Sequence, residues 1–485
     1  MSNNTNFIRL ENALDYSMSN NRSSLENLPQ CIIDLICEWL FVRAHVRLFQ
    51  VSKRLNKVCS QPSTWRTLMF STRRMYTFDR ACQLICHEVH NIQRTNVPYV
   101  IDLLHGSKSS RNKLQQLYLY NEDISYISMV SSMNQLRVLN LRSTKISNLS
   151  PLSTLTQLHT LDIFNTDVSN VSALSTLTQL RVLNISYTKI SNISALSTLI
   201  QLRVLRYKIT GLIHGLCALS SMTQLQTLSL RITNTQNISE LSGLTQLKIL
   251  DLSRSRIDNI SALSALTRLS KLSLCDTNIS NLSQISTLVN LRVLDLSIAL
   301  KIYDISALST LTQLSKLDLT STNITDLSPV STLVNLHTLK LRNATKIHDI
   351  SMLSKLTNMH ELNLKCCKVH DISPISTLTQ LYELRLNNTE IDDISVLSLL
   401  TQLHILMLNG TRIIDISPLS TLTQLKILDL CCIKISNISS LSTLTKLNIL
   451  DLSNTKISSI SALSLLTQLS KLNLNDTYIS DISAL

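Results

Sequence analysis

Histidine pairs are the residues of this chain whose spacing first suggests a metal site. His337 and His360 occupy one register of neighbouring repeated segments, and His348 and His370 occupy another, so each pair should lie about one strand spacing apart. Two imidazoles without a third ligand make a poor zinc site. We therefore predict no metal site and no bound cofactor.

Catalytic motifs are missing from the sequence. No nucleophile–base pair, glycine-rich phosphate loop or C-x-x-C set occurs, and the many Ser and Asp residues recur because the segments that contain them recur. The 11 cysteines are an odd number without even spacing, which favours free thiols and a reducing compartment. The sequence thus predicts a protein that is not an enzyme.

A repeated unit of about 22 residues positions these side chains, and residues 114–485 hold about 17 copies of it. Within residues 158–179, apolar residues alternate over the first half and then recur at every third residue. The alternation predicts a short strand with one buried face, and the later spacing predicts tight helical turns. Such a period is typical of a solenoid, in which each unit contacts only its neighbours.

Two polar positions of the unit carry further predictions. Serine stands at position 15, immediately before a proline such as Pro151 or an alanine, and we expect its hydroxyl to accept the free amides of the helical turn. Threonine recurs at position 9, as at Thr144 and Thr166, where one hydroxyl per unit would satisfy a buried backbone group. The unit at 202–224 has Tyr207 in place of leucine and two glycines, which predicts a bulge or bend.

The unit resembles the leucine-rich repeat, and its I-x-x-I-x-x-L-x-x-L return segment resembles the short internalin-type class. The resemblance implies an α/β solenoid with one parallel concave sheet and short helical turns on the convex side. Strand positions that alternate with the buried leucines should point away from the core. We expect the concave face to bind a target protein through these residues: Arg137, Val138, Arg181, Val182, Lys248, Ile249, Arg292, Val293, Ile405 and Ile427.

The concave face is predicted to carry three parallel rails, of which the apolar one fails between Lys316 and Glu383. Position 2 is often basic, position 3 is often Val or Ile, and position 5 is often aspartate, as at Asp162, Asp251 and Asp429. Strand propensity and solubility alone would also favour valine, isoleucine and charged residues at these positions. Both interpretations remain open from the sequence.

Residues 28–69 do not follow the repeat and indicate a small helical unit. Pro29 fits the start of a first helix, Trp39 and Leu40 belong to its apolar faces, and Pro62 interrupts the chain before another helix. So short a segment builds a thin core, and we expect part of its apolar surface to contact a partner.

This segment resembles the F-box in Leu28-Pro29, Ile32, Ile33, Ile36, Leu40, Val51-Ser52-Lys53-Arg54 and Pro62-Ser63-Thr64-Trp65, and departs from its pattern at Cys31, Phe41 and Leu55. The resemblance implies docking on the S-phase-kinase-associated protein, the linker subunit of a cullin-RING ubiquitin ligase. Packing within a helical cap is the alternative for each contact residue. The residues implied in docking are Leu28, Pro29, Ile32, Ile33, Leu40, Val51 and Trp65.

These features divide the chain into a disordered N-terminus (1–23), an F-box-like helical domain (24–70), a linker and N-terminal cap (71–113) and the leucine-rich repeats (114–485). Together they predict the substrate-recognition adaptor of an SCF-type ubiquitin ligase, whose repeats bind the target protein. One alternative is a non-enzymatic leucine-rich-repeat scaffold with a helical N-terminal cap. Another is an exported adhesin of internalin type.

Charge and hydropathy limit the other partners. The net charge is +13, and residues 1–113 hold 15 Lys and Arg against 8 Asp and Glu, a net +7. Aromatic residues, 4% of the chain, do not interleave with these basic runs, which favours a solvated surface over nucleic-acid binding. The first residues lack a signal-peptide pattern and no run of about 18 apolar residues occurs, so we predict a cytoplasmic protein without membrane contact.

Overall fold

The computed structural model describes residues 68–69, 91–93, 115–119, 124–209, 211, 213–231 and 238–483. Most of the segment that resembles an F-box lies outside the described residues, as does most of the predicted linker. Its last residues, Leu68–Met69, form a short strand and not the helix that the sequence predicts there. The chain divides into two compact units, Met1–Ile209 with Ile213–Leu225, and Thr210–Leu212 with Gln226–Leu485. Within the described residues, no helix is both long and apolar enough to cross a membrane.

Short parallel strands form the sheet of the first unit, and each pairs with the next at matching repeat positions. Leu139 lies beside Leu161, for example, and Leu161 beside Leu183. The described strands are β1 (Leu68–Met69), β2 (Asn91–Gln93), β3 (Gln116–Tyr118), β4 (Val138–Asn140), β5 (Thr160–Asp162), β6 (Val182–Asn184) and β7 (Val204–Lys208).

The second unit repeats this arrangement in parallel strands that also pair position for position. Its strands are β8 (Thr227–Arg231), β9 (Ile249–Asp251), β10 (Lys271–Ser273), β11 (Val293–Asp295), β12 (Lys316–Asp318), β13 (Thr338–Lys340), β14 (Glu361–Asn363), β15 (Glu383–Arg385), β16 (Ile405–Met407), β17 (Ile427–Asp429), β18 (Ile449–Asp451) and β19 (Lys471–Asn473).

The predicted helical turns are 3-10 turns, almost all of them five residues long. Four of them carry proline at their first or second position, as the sequence predicts. In the first unit they span Ser128–Ser132, Ser150–Thr154, Ser172–Thr176, Ser194–Thr198 and Leu216–Ser221. In the second they span Ser239–Gly243, Ser261–Ala265, Ser283–Thr287, Ser306–Thr310, Ser328–Thr332, Ser351–Lys355, Ser373–Thr377, Ser395–Leu399, Ser417–Thr421, Ser439–Thr443 and Ser461–Leu465.

The core consists of the apolar positions that the repeat predicts. Leu158, Leu161 and Ile163 from the strand half are fully buried, and Leu174 and Leu177 from the return half are buried with them. Equivalent residues stack from one repeat to the next and remove each other's surface from water. Each buried leucine thereby contributes about 1.5–3 kcal/mol to the stability of the fold through the hydrophobic effect. The alternation of buried and exposed strand residues confirms the predicted one-sided strands.

In most of the 3-10 turns, asparagine or aspartate at position 13 accepts the amide of the serine at position 15, so the prediction that the hydroxyl of this serine is the acceptor is wrong. The Ser150 amide donates to Asn148 Oδ1 over 2.8 Å, and the Ser328 amide donates to Asp326 Oδ1 over 2.7 Å. An Asx side chain reaches the amide two residues ahead, as in an Asx turn. This amide and the Ser328 hydroxyl hold the pKa of Asp326 below its ordinary value.

Threonine at position 9 satisfies a backbone carbonyl of its own unit, which confirms the predicted role of its hydroxyl. Thr144 is buried, and its Oγ1 donates to the Leu141 carbonyl over 2.8 Å. A second threonine, at position 19, joins one repeat to the one before: Thr154 Oγ1 donates to the Ser131 carbonyl over 2.8 Å. This threonine adds a bond between repeats on the return side to the backbone bonds of the sheet, at a position that the sequence analysis did not single out.

The irregular unit at 202–224 lengthens its strand and then turns sharply. Tyr207 is fully buried within β7, and its hydroxyl donates to the Ile190 carbonyl over 2.7 Å. Gly215 has φ +74°, and a Cβ there would lie 2.6 Å from the Ser194 backbone nitrogen. The predicted bend thus lies at a left-handed glycine just before a 3-10 turn.

Tyr207→Phe should destabilise the first unit by about 1–3 kcal/mol, because it leaves the buried Ile190 carbonyl without its donor. Urea denaturation followed by circular dichroism measures the loss. Tyr126 is 79% exposed, so Tyr126→Phe is the matched control and should leave the midpoint unchanged. Equal midpoints for the two variants would contradict the assigned hydrogen bond.

Candidate functional site

The solvent side of each sheet holds all of the described residues predicted to bind a target. We call positions 2, 3, 5 and 7 of the repeats on this side the sheet face. In β4 the pattern is typical: Val138 and Asn140 are half-buried, and Leu139 between them is fully buried. Residues at position 2, such as Arg137, are exposed immediately before the strand.

The predicted residues form separate groups on the sheet faces. In the first unit, Arg137 and Val138 lie two strands from Arg181 and Val182, with β5 between them. In the second unit, Lys248 and Ile249 precede and begin β9, whereas Arg292 and Val293 lie at β11, with β10 between. Ile405 and Ile427 are direct neighbours in β16 and β17.

The apolar rail is not continuous: it fails between Lys316 and Glu383, as the sequence predicts, and it is interrupted before that range as well. Lys271 and Lys316 lie on either side of Val293 in the strand register. Within the second unit, an uninterrupted row of isoleucine is found at Ile405, Ile427 and Ile449. The sheet face is therefore a mosaic whose charge changes from strand to strand.

The acidic rail has a structural role that the sequence reading missed. Oδ1 of Asp429 accepts the Cys431 amide over 3.0 Å, so the carboxylate closes the turn that leaves the strand. Asn140 accepts the Arg142 amide in the same way over 3.1 Å, so either an amide oxygen or a carboxylate oxygen can close this turn. The interchange of Asn and Asp at position 5 is the signal that could have revealed this role.

Left-handed residues follow most of the described strands at position 8, another feature that the sequence analysis missed. Gly410 has φ +70°, Asn388 has φ 54°, and Ile298 has φ 58° despite its branched side chain. Asn, Asp and Gly are frequent at this position, and these residue types adopt left-handed backbone most readily. Their recurrence could have identified the turn.

The sheet face of the first unit is basic and holds one acidic side chain in β4–β7. Asp162 accepts the Phe164 amide over 2.9 Å and lies 3.5 Å from Arg142 Nη1. The Arg142 guanidinium lies 4.3 Å from the centre of the Phe164 ring, and Phe164 packs edge-on against Tyr187 with ring centres 5.1 Å apart. Arg142, Asp162 and the two rings form one connected cluster.

The sheet face of the second unit carries ring side chains at position 2 of four successive repeats. His337 and His360 stack with ring centres 5.1 Å apart, which confirms their predicted proximity, and Tyr382 and His404 stack at 4.3 Å. Nδ1 of His337 lies 2.7 Å from the Asn335 carbonyl, which fixes the ring against the backbone. Within the described residues, no group of three or more side chains is arranged to hold a metal ion.

The other histidine pair and the buried Cys367 make local contacts. His348 Nδ1 lies 3.1 Å from the Lys368 carbonyl, and His370 Nε2 lies 3.8 Å from Glu390. Cys367 is buried and donates through Sγ to the Leu341 carbonyl over 3.0 Å, and burial raises the pKa of its thiol to about 12. Such a thiol stays protonated near neutral pH and is a poor nucleophile.

The comparisons with known proteins agree with this architecture. Residues 401–443 match the family model of leucine-rich repeats, in two copies. The two repeats in this range are leucine-rich repeats. A leucine-rich-repeat protein of Leptospira interrogans superposes with TM-score 0.64 and 20% identity, over 80% of this chain and 95% of that one. No curated protein matches the sequence.

Two internalins of Listeria monocytogenes are also similar. The functional domain of InlJ, which includes a cysteine ladder, has TM-score 0.51 and 20% identity over 71% of this chain and 68% of that one. Internalin InlF has 27% identity over 76% of this chain and 88% of that one, with TM-score 0.42. The likeness to the Leptospira protein and to InlJ concerns the fold alone, because their identity to this chain is low.

Asp429→Asn should stabilise the second unit at neutral pH. Burial, with the charge of the adjacent Asp451, raises the pKa of Asp429 above its ordinary value. An acid whose pKa is higher in the folded chain destabilises the fold once the pH exceeds its unfolded pKa, and this cost disappears when the acid is protonated. Urea midpoints of the variant should therefore exceed those of the wild type at pH 7 and equal them at about pH 3, below the ordinary aspartate pKa.

A substitution of the opposite kind, asparagine to aspartate at position 473, is the matched control for this prediction. Asn473 donates through Nδ2 to Asp451 Oδ2 over 3.0 Å on the neighbouring strand. Asn473→Asp removes that donor and adds a like charge, so its midpoint should fall at pH 7. An Asp429→Asn variant that is less stable than the wild type at pH 7 would show that the carboxylate is needed for more than its acceptor oxygen.

Proposed function

We propose that this leucine-rich-repeat chain is a non-enzymatic scaffold that binds a target protein on its sheet faces. The contrast between neighbouring strand positions carries the proposal. Position 4 is leucine in every described repeat strand from β3 to β19, whereas position 3, half-buried or exposed beside it, is Val, Thr, Ile, Lys, Glu or Gln. The core requires leucine at position 4 in every repeat. A surface adapted to a partner allows the residue at position 3 to vary.

The isoleucine row of the second unit supplies the apolar part of such a contact. Ile405 and Ile427 are half-buried in adjacent strands, so they present apolar surface that a partner can cover without rearrangement of the sheet. Interfaces gain most of their free energy from a few such central groups, surrounded by polar contacts that exclude water.

We also propose that residues 28–65 tether this scaffold to a cullin-RING ubiquitin ligase. The resemblance of Leu28-Pro29 and the later anchors to an F-box supports this proposal, and the family-model match at 401–443 does not include them. In this role the chain is cytoplasmic and catalyses no reaction. It raises the effective concentration of its target near the transfer enzyme.

Ile405→Asp with Ile427→Asp should abolish target capture by the scaffold, because charged side chains in the contact remain desolvated and unpaired. Affinity-tagged chain from lysate, analysed by quantitative mass spectrometry, gives the set of captured proteins. Ile414 is 72% exposed on the return side, and Ile414→Asp is the control that should retain the same set. Identical sets for both variants and the wild type would place target binding elsewhere.

Leu28→Ala with Pro29→Ala should reduce capture of the purified S-phase-kinase-associated linker subunit by roughly tenfold or more, the effect of removing an interface hot spot. The full chain is immobilised and the bound linker subunit is quantified. The array should remain folded by circular dichroism and should still capture its target. If the unaltered chain binds no linker subunit, the adaptor proposal is wrong and the scaffold proposal stands.

A further inference from the structure

Arginine side chains line the sheet face of the first unit without the acidic residues that accompany them elsewhere. Arg137, Arg181 and Arg203 occupy position 2 before β4, β6 and β7, and Arg206 occupies position 5 of β7. All four are exposed. Because adjacent strands are about 4.8 Å apart, Arg181 and Arg203 lie on neighbouring strands close enough to repel each other.

No described carboxylate offsets this charge. Asp162 is the acidic residue on β4–β7, its side chain is 17% exposed, and it is already engaged by Arg142 and the Phe164 amide. Among the described residues, the guanidinium groups of Arg137, Arg181, Arg203 and Arg206 form no ion pair. In the second unit, position 5, which is Arg206 in β7, is occupied by Asp295 in β11 and Asp318 in β12 on adjacent strands. Like charges held together on a rigid sheet favour an anionic ligand.

The chemistry of the surface selects a carboxylate-bearing ligand. A guanidinium group presents a planar fork that matches a carboxylate in two parallel hydrogen bonds. Val182 and Val204, half-buried, lie next to Arg181 and Arg203 on the same strands, so apolar side chains between the acids of a peptide would also find contacts. The surface therefore combines charge complementarity with an apolar row.

Single-stranded nucleic acid fits this surface less well. Such ligands gain affinity by stacking bases on aromatic faces. The Arg142 guanidinium lies over the Phe164 ring, and Phe164 packs edge-on against Tyr187, so the two rings are engaged with the protein itself. An acidic peptide requires no stacking platform.

We infer that the sheet face of the first unit binds an extended acidic segment of the target protein, with leucine or similar apolar residues between its carboxylates. The inference rests on the proposed scaffold function and names the chemistry of its partner. Arg181 and Arg203 are the principal contacts, with Arg137 and Arg206 beside them.

The test is fluorescence anisotropy with the full chain and a short labelled peptide that repeats Asp-Glu-Leu. The matched amide peptide, which repeats Asn-Gln-Leu, should bind at least tenfold more weakly. Arg181→Ala with Arg203→Ala should weaken binding of the acidic peptide by at least tenfold, and higher salt should weaken it further. Lys145→Ala with Lys189→Ala removes two exposed basic residues of the same unit outside the sheet face and should leave binding unchanged.

Three results would overturn the inference: the acidic peptide fails to bind, the lysine variant loses as much affinity as the arginine variant, or a single-stranded oligonucleotide binds more tightly than the peptide. Circular dichroism of the arginine variant ensures that any loss is not a loss of fold. Failure here leaves the scaffold proposal intact if Ile405→Asp with Ile427→Asp still abolishes target capture. If target capture is also insensitive to those substitutions, both proposals fail.

Discussion

Stacking of identical positions is the constraint on which the whole array depends. A single repeat can neither bury its leucines nor pair its strand alone, so Leu161 must lie beside Leu139 and Leu183, and so on in each sheet. Longer repeats show how strictly this holds. The repeats that contain Ala299 and Ala344 have one extra residue, yet Val293 and Thr338 remain in register with the next strands. The extra residue is confined to the turn after the strand.

Polar side chains close the backbone at fixed positions, which leaves few positions for a partner. Thr144 serves a carbonyl within its own repeat, Asn148 serves the start of the 3-10 turn, and Asp162 closes the turn after its strand. These bonds recur because every repeat exposes the same backbone groups. Positions 2, 3 and 7 are therefore the positions of the sheet face where the turn does not prescribe the residue type.

The sequence predicts the parts of this structure that arise from periodic burial. Leucine spacing alone indicates the strands and the return turns, and the recurrence of Thr144 and its equivalents indicates a buried hydroxyl. It does not show which of two neighbouring polar residues caps a turn, because Asn148 and Ser150 recur together and both accept hydrogen bonds. The left-handed position was missed because some residues there, such as Ile298, adopt left-handed backbone only because the turn requires it. Their own conformational preference does not indicate it. The ion pair between Asp162 and Arg142 could not be predicted, because the sequence pattern does not give the distance between two side chains of neighbouring repeats.

The threonine at position 19 makes a hydrogen bond that always points from one repeat to the repeat before it. Thr154 reaches the carbonyl of the repeat before it, whereas the bonds of Thr144 and Asn148 are completed within a single repeat. A repeat that has this threonine thus carries the donor for its own junction, and the acceptor is a backbone carbonyl that any preceding repeat supplies. An array of such repeats can gain or lose a whole repeat and keep this bond at the new junction.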